Sequence, residues 1–298
     1  MRCGSAITSW SGAASTTSMH PGRAVKARPL KRLSVAESLR RHWPEYLMEA
    51  AQLGIFMVSA GAFTVLMESP LSFIGRLHLA PYVCRAVIGV AMGGTAMGLI
   101  YSPWGRRSGA HMNPAITMTF LRLGKIPPWD AFYYVIFQFS GGLAGVLLTI
   151  WTFGSAFTQQ PVNYVATIPG AAGDGAAFAG EITISFIIMA MIVYVSNKPA
   201  IARFTGVFAG LLIALFVEFE APLSGFGMNP ARTLASALPG AIWTGLWIYF
   251  TAVPLGMLLA AQCYLMVGKA DSIHCCKLYH SLREPCIFCD RRVLPGFE

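Results

Sequence analysis

Six apolar runs, at 46–67, 82–101, 131–151, 176–195, 204–219 and 243–267, leave this chain few ways to fold. A helix needs about 20 residues to cross a ~30 Å hydrocarbon core, and all but the fifth run reach that length. The fifth stops early because Glu218 and Glu220 interrupt its far end. Lipid offers no partners to backbone amides and carbonyls, so runs of this kind must be helical. The expected fold class is therefore all-α and integral to a membrane. A composition of 55% hydrophobic and 12% charged residues argues against a soluble domain.

A net charge of +9 would fit nucleic acid if it were spread over a surface, but its placement argues otherwise. The first 44 residues hold eight Arg or Lys against the single acid Glu37. Arg106, Arg107, Arg122 and Lys125 follow the second run, Lys198 and Arg203 the fourth, and more basic residues follow the sixth. The connection 152–175 contains Asp174 and neither Lys nor Arg. This alternation is the positive-inside pattern and predicts both termini in the cytoplasm. Arg76 and Arg85 stand on the other side without reversing the bias. Attraction to anionic lipid is a second use for the charge, and nucleic acid is not an expected partner.

Residues 1–33 are rich in Ser, Thr, Ala, Gly and Arg, lack periodicity, and read as an unordered extension, a targeting extension being the alternative; the first forty residues show no signal-peptide core. Ser34-Val35-Ala36-Glu37 fits a capping box. A short surface helix is expected after it, with Pro44 opening the first spanning helix.

The chain is also internally duplicated. "SGAHMNPAITMTFLRLG" from Ser108 is matched by "SGFGMNPARTLASALPG" from Ser224. The first run carries Glu49 and the fourth Glu181. "FSGGLAGVLL" from Phe139 pairs with "FTAVPLGMLL" from Phe250. Three spans per half means that the second half enters from the opposite side, giving inverted repeats. In each motif the asparagine is a good N-cap and proline suits the next position, so helices should start at Pro114 and Pro230. Each following helix is about ten residues, or half a bilayer. Two polar helix starts meeting at membrane depth must be buried in protein or line a water-filled path.

Over residues 45–267 the sequence resembles the aquaporin (major intrinsic protein) family, on the strength of both Asn-Pro-Ala motifs, Glu49, Glu181 and Arg232. The resemblance implies six transmembrane helices plus two re-entrant half-helices, in inverted halves at about 45–160 and 176–267. A basic segment 1–44 precedes this channel domain and a Cys/His-rich cytoplasmic tail 268–298 follows it. The implied function is a passive pore in the cell membrane for water and small uncharged solutes such as glycerol, built as a homotetramer and needing no cofactor or metal. Asn113 and Asn229 would line the pore centre beside Pro114, Ala115, Pro230 and Ala231. Two helix N-termini supply about one positive charge in total. At ~5 Å and an effective dielectric of 20, that repels a cation by an energy on the order of 3 kcal/mol, a cost that neutral solutes escape.

Arg232 is expensive at this depth and so a functional candidate, and the resemblance implies that it walls the outer constriction, with Ile116 as its counterpart in the first half. A structural pairing with Glu218 or Glu220 is the alternative. The resemblance implies further constriction positions, which carry over by counting from the motifs to Phe226, Val217 and Gly93, with Met92 replacing Gly93 if the count slips by one. Phe226 opposite Arg232 resembles the glycerol-conducting branch, although Thr233 stands where that branch usually has Asp. Glu49 and Glu181 are expected to brace the motif loops, a proton relay being the alternative. His111 should line the pore or stabilise its loop. The Gly-rich "GVAMGG" and "SGGLAG" permit close helix packing.

The tail reads "HCCKLYHSLREPCIFCD" from His274. Cys286 and Cys289 have CxxC spacing, and Cys275 with His280 could complete four metal ligands; free thiols on an unstructured tail are the alternative. Two other functions also fit the repeats: a coupled secondary transporter, and a non-conducting adhesion or scaffold protein. No nucleophile–base pattern or phosphate loop points to an enzyme.

Overall fold

The computed structural model describes residues 33–267, 273–280 and 286–289. The segment 1–32, on which the expected unordered extension falls, lies outside them. The chain forms α1 (Val35–Glu68), α2 (Pro81–Tyr101), the short α3 (Pro103–Ser108), α4 (Pro114–Arg122) and α5 (Pro128–Phe153). A one-turn α6 (Ser155–Thr158) precedes α7 (Asp174–Val195), α8 (Thr205–Phe219), the one-turn α9 (Ala221–Ser224), α10 (Pro230–Gly240) and α11 (Leu246–Met266). Six segments are long and apolar enough to cross a membrane: α1, α2, α5, α7, α8 with the turn before it, and α11. The nine-residue α4 and eleven-residue α10 are the two half-helices. Large apolar side chains such as Val90, Leu147, Trp151, Leu211 and Leu215 stay exposed around the bundle, as a multi-pass membrane protein requires.

The first helix departs from expectation. No surface helix precedes a break at Pro44; α1 runs unbroken for 34 residues with Pro44 inside it. Proline deprives the Arg40 carbonyl of its partner, but Arg40 is exposed, where water can serve instead. Long-range bonds then hold this stretch against the bundle. His42 Nδ1 lies 2.8 Å from Asp130 Oδ1, the Tyr46 hydroxyl donates to the same oxygen, and Arg107 Nε donates to Glu45 Oε1 at 2.8 Å. The capping box is half formed: Ser34 Oγ accepts from Glu37 N at 3.3 Å, while the Glu37 carboxylate pairs with Arg41 at 2.7 Å.

The most extensive pairings are α1 with α5, α7 with α11, and α2 with α8. The first two are equivalent in the two halves, and the third joins the halves. Each depends on missing side chains. A Cβ on Gly141 would stand 2.1 Å from the Ala50 carbonyl oxygen, and one on Gly256 would stand 2.4 Å from that of Ile182. Ala50 and Ile182 each follow the glutamate of their half, so Gly141 and Gly256 are equivalent. That corrects the expected register of α5 and α11, which set Phe139 against Phe250, by one helical turn. Those two phenylalanines instead stack on each other, ring centroids 6.2 Å apart. Gly93 and Gly210 meet across α2 and α8, where a Cβ on either would lie 2.2 Å or 2.6 Å from the other's carbonyl oxygen. The glycine-rich stretches thus mainly close contacts within one chain, while Gly94 and Gly98 face open space.

Adding one methyl group separates these roles. Gly141→Ala is expected to destabilise by about 1–3 kcal/mol, because two backbones must part. Gly94→Ala should be neutral or stabilise by about 0.5–1 kcal/mol through helix propensity. Thermal unfolding in a single detergent reads both, and equal shifts would contradict the packing described.

Candidate functional site

Each re-entrant segment is forced through backbone conformations that its residues avoid. After α3, Gly109, Ala110 and Met112 have φ of 108°, 55° and 48°; after α9, Gly225, Phe226 and Met228 have 78°, 55° and 48°. A non-glycine residue in this left-handed region costs about 1–3 kcal/mol, and the motifs contain two such residues each. The gain is geometric, since the chain reverses sharply and delivers an asparagine in extended conformation to the first turn of a helix. Asn113 Oδ1 accepts from Ala115 N at 2.9 Å; Asn229 Oδ1 accepts from Ala231 N at 3.0 Å and Arg232 N at 3.2 Å.

Buried carboxylates offset the strain. Glu49 Oε1 accepts from Ser108 Oγ at 2.7 Å and His111 N at 3.0 Å, and its Oε2 from Met112 N at 2.6 Å and Gln138 Nε2 at 2.9 Å. Glu181 repeats the clamp, with Oε1 on Ser224 Oγ and Gly227 N, both 2.6 Å, and Oε2 on Met228 N at 2.7 Å. Tyr134 donates to the Ser108 carbonyl at 2.7 Å and Tyr249 to that of Ser224. Bonds to a charged acceptor are worth about 1.5–3 kcal/mol each, enough to hold both loops against their backbone cost.

The two loops also lock each other. Asn113 Nδ2 donates to the Met228 carbonyl and Asn229 Nδ2 to the Met112 carbonyl, both at 2.7 Å. Each amide has two N–H groups, so one holds the opposite loop and the other remains for a guest. Asn113 and Asn229 line a single cavity that also takes in Ile116, Phe226, Arg232 and Leu278. Two helix N-termini, Pro114 and Pro230, therefore face one another across it with their positive dipole ends inward.

Arg232 and Ile116 hold equivalent places on the two half-helices, and both line the cavity. Arg232 is 9% exposed, takes part in none of the ion pairs among the described residues, and leaves Nη1 buried without a protein partner. Glu218 instead faces Arg85, whose Nε donates to the Glu218 carbonyl at 3.2 Å. Gly93 turns its missing side chain toward Gly210, and Val217 packs near Gly89. The cavity wall on those helices consists of Ala96, Ile100, Ala209 and Ile213. Met92 is buried. Thr233 is fully buried and accepts from Thr167 Oγ1 at 3.0 Å, off the cavity. Pro114, Ala115, Pro230 and Ala231 form the buried first turns behind the asparagines.

His111 has partners on three sides. It lines the cavity, its Nδ1 lies 3.0 Å from Thr117 Oγ1, and its Nε2 lies 2.8 Å from the carbonyl oxygen of Cys276 in the tail. Sequence reasoning missed Ser108, Ser224, Tyr134, Tyr249 and Gln138 as braces. The serines open both quoted motifs and were open to notice; the tyrosines were hidden by the misplaced register.

Replacing Glu181 with Gln tests the clamp. An amide would present N–H to N–H at one loop contact, losing at least one charge-assisted bond. Hydrogen exchange at Gly227 and Met228 is then expected to quicken by about tenfold to a hundredfold. Unchanged exchange would remove the carboxylate from its bracing role.

The comparisons agree with this architecture. The family model described as "Major intrinsic protein" matches residues 35–264. The chain is 36% identical over 183 residues to "Probable aquaporin NIP-type" of Nicotiana alata, a match covering 61% of this chain and 66% of that protein. It is 34% identical over 181 residues to "Aquaporin NIP1-4" of Oryza sativa subsp. japonica, covering 60% and 64%. The matched stretch thus spans just under two thirds of each of these relatives. The solved aquaglyceroporin from Plasmodium falciparum superposes with a TM-score of 0.63 at 18% identity, covering 77% of this chain and 99% of that one, and so shares the fold. Two inverted halves, two opposed asparagine-capped half-helices and a matching family model place this chain in the major intrinsic protein family.

Proposed function

We propose that the chain is a passive transmembrane pore for water and small uncharged solutes such as glycerol, closed to protons and metal ions. The observation that carries this reading is the pair of crossed asparagines, each with an N–H to spare, at the meeting point of two helix N-termini. A neutral guest there gains hydrogen bonds from both amides. A cation meets two positive dipole ends and must also shed its hydration shell. The names of the plant relatives, all aquaporins, support the same reading.

Arg232 and Phe226 act as the selective pair. An unpaired guanidinium offers donors to a hydroxyl or water oxygen, and the ring packs a carbon backbone. The apolar wall from Ile188, Ala209 and Ile213 leaves the passage permissive toward small solutes. A coupled transporter fits less well. Glu49 and Glu181 are each engaged by their loops, and among the described residues Arg232 is the one permanently charged residue on the cavity wall. The basic bias of the connections supports cytoplasmic termini, and the exposed apolar faces suit assembly into a homotetramer in the cell membrane.

Full-length protein in liposomes, with divalent metals chelated, is tested by stopped-flow light scattering under sucrose, glycerol and urea gradients. Shrinkage and reswelling faster than in empty vesicles, without any ion gradient, is the expected result. Dependence on an ion gradient would favour the transporter, and rates equal to empty vesicles would favour a non-conducting protein. Arg232→Val should retain water flow while urea and cation leakage rise several-fold. An unchanged solute profile would show that Arg232 does not select.

A further inference from the structure

The described residues of the tail pack onto the bundle beside α3 and the first re-entrant loop. His274 N donates to Asn197 Oδ1 at 2.8 Å, Lys277 Nζ to the Arg106 carbonyl at 2.8 Å, and Leu278 N to the Gly109 carbonyl at 3.1 Å. The Tyr279 ring meets Tyr101 edge-on at 5.1 Å, and Phe288 meets Tyr134 at 5.9 Å. Cys276, Lys277 and Leu278 are 0%, 2% and 3% exposed. Leu278 enters the same cavity as the asparagines, and the Cys276 carbonyl bonds the cavity histidine, His111. The loop 276–279 thus borders the cavity that holds the asparagines.

Four potential ligands gather at the base of that loop. The ligand atoms of Cys275, His280, Cys286 and Cys289 all lie within 4.8 Å of one another. Cys275 Sγ and Cys286 Sγ are 3.6 Å apart, and His280 Nε2 is 3.1 Å from Cys289 Sγ. Zinc–sulfur bonds of ~2.3 Å at tetrahedral angles put two sulfurs about 3.8 Å apart. Three sulfurs and one imidazole make a closed, soft, four-coordinate set suited to Zn²⁺ and not to Mg²⁺ or Ca²⁺.

We propose that Cys275, His280, Cys286 and Cys289 bind a Zn²⁺ ion, which ties loop 276–279 into the pore mouth so that the loaded protein conducts less. Binding replaces up to three thiol protons, released to solvent, with the metal; no electron is transferred. Cys275 and His280 flank the loop, so a shared metal closes it at the stem and removes much of the entropy cost of holding Leu278 in the cavity. Cys286 and Cys289 add a second segment, docked on α5 through Phe288. The effect on conduction rests on the pore reading above; the metal site stands without it.

Full-length protein purified under reductant is first assayed by plasma mass spectrometry. About one zinc per chain is expected, and almost none in Cys286→Ser/Cys289→Ser. Stripped wild type titrated with Co²⁺ should develop the strong visible bands of a tetrahedral site with thiolate charge transfer, bleached by Zn²⁺. Metal-free wild type that takes up no cobalt, metal retained by the double variant, or a Cys275–Cys286 disulfide in place of bound metal overturns the site. Liposome permeability is then compared at buffered free Zn²⁺ and under chelation. Wild type should conduct several-fold faster when stripped, the double variant should ignore zinc, and Leu278→Gly should conduct with zinc still bound. Equal rates for loaded and stripped wild type overturn the role of the loop. No flow in any form overturns the pore reading and the loop's role with it, whereas the cobalt spectrum reports the site independently.

Discussion

Everything at the centre of this molecule depends on two buried carboxylates. A loop that reverses at membrane depth leaves backbone amides without water, and several of its residues sit in left-handed conformations. Glu49 and Glu181 answer both demands, because an ionised acceptor in a low-dielectric interior binds amide N–H groups tightly enough to hold the strained turn. With the turns held, the asparagines reach the helix starts, the helix dipoles oppose one another, and the cavity acquires its positive, donor-rich centre. Charge is thus spent on shape, and the carboxylates stay behind the cavity wall.

The helix scaffold meets the same requirement by subtraction. Pairs of helices approach until the carbonyl of one lies where a side chain of the other would be, at Gly141 with Ala50 and at Gly256 with Ile182. Those contacts sit one residue beyond each glutamate, so close packing and loop bracing fix the same point in each half. A displacement of either helix pair would move the carboxylate away from its loop.

How legible this was in the sequence followed from how local each cause is. Span positions, half-helix starts and the bracing glutamates depend on apolar length, capping chemistry and repetition, all of which can be read from adjacent letters. Pro44 failed as a boundary because Asp130, far along the chain, holds the preceding turns in line. Phe139 and Phe250 matched as letters because Phe and Leu-Leu recur in any apolar span, whereas the contact glycines declare themselves only against a neighbouring backbone. Gly93 and Val217 are reached by counting along the chain, whereas the contact of α2 with α8 is set by their mutual packing. For the tail, the ligand spacing was visible, and its docking on His111 was not.

The crossed asparagines have an evolutionary consequence. Each amide is caught by the main-chain carbonyl of the opposite methionine, not by its side chain. A duplicated ancestor could therefore let its two copies drift apart at almost every neighbouring letter, Ile116 against Arg232 among them, without unfastening one half from the other.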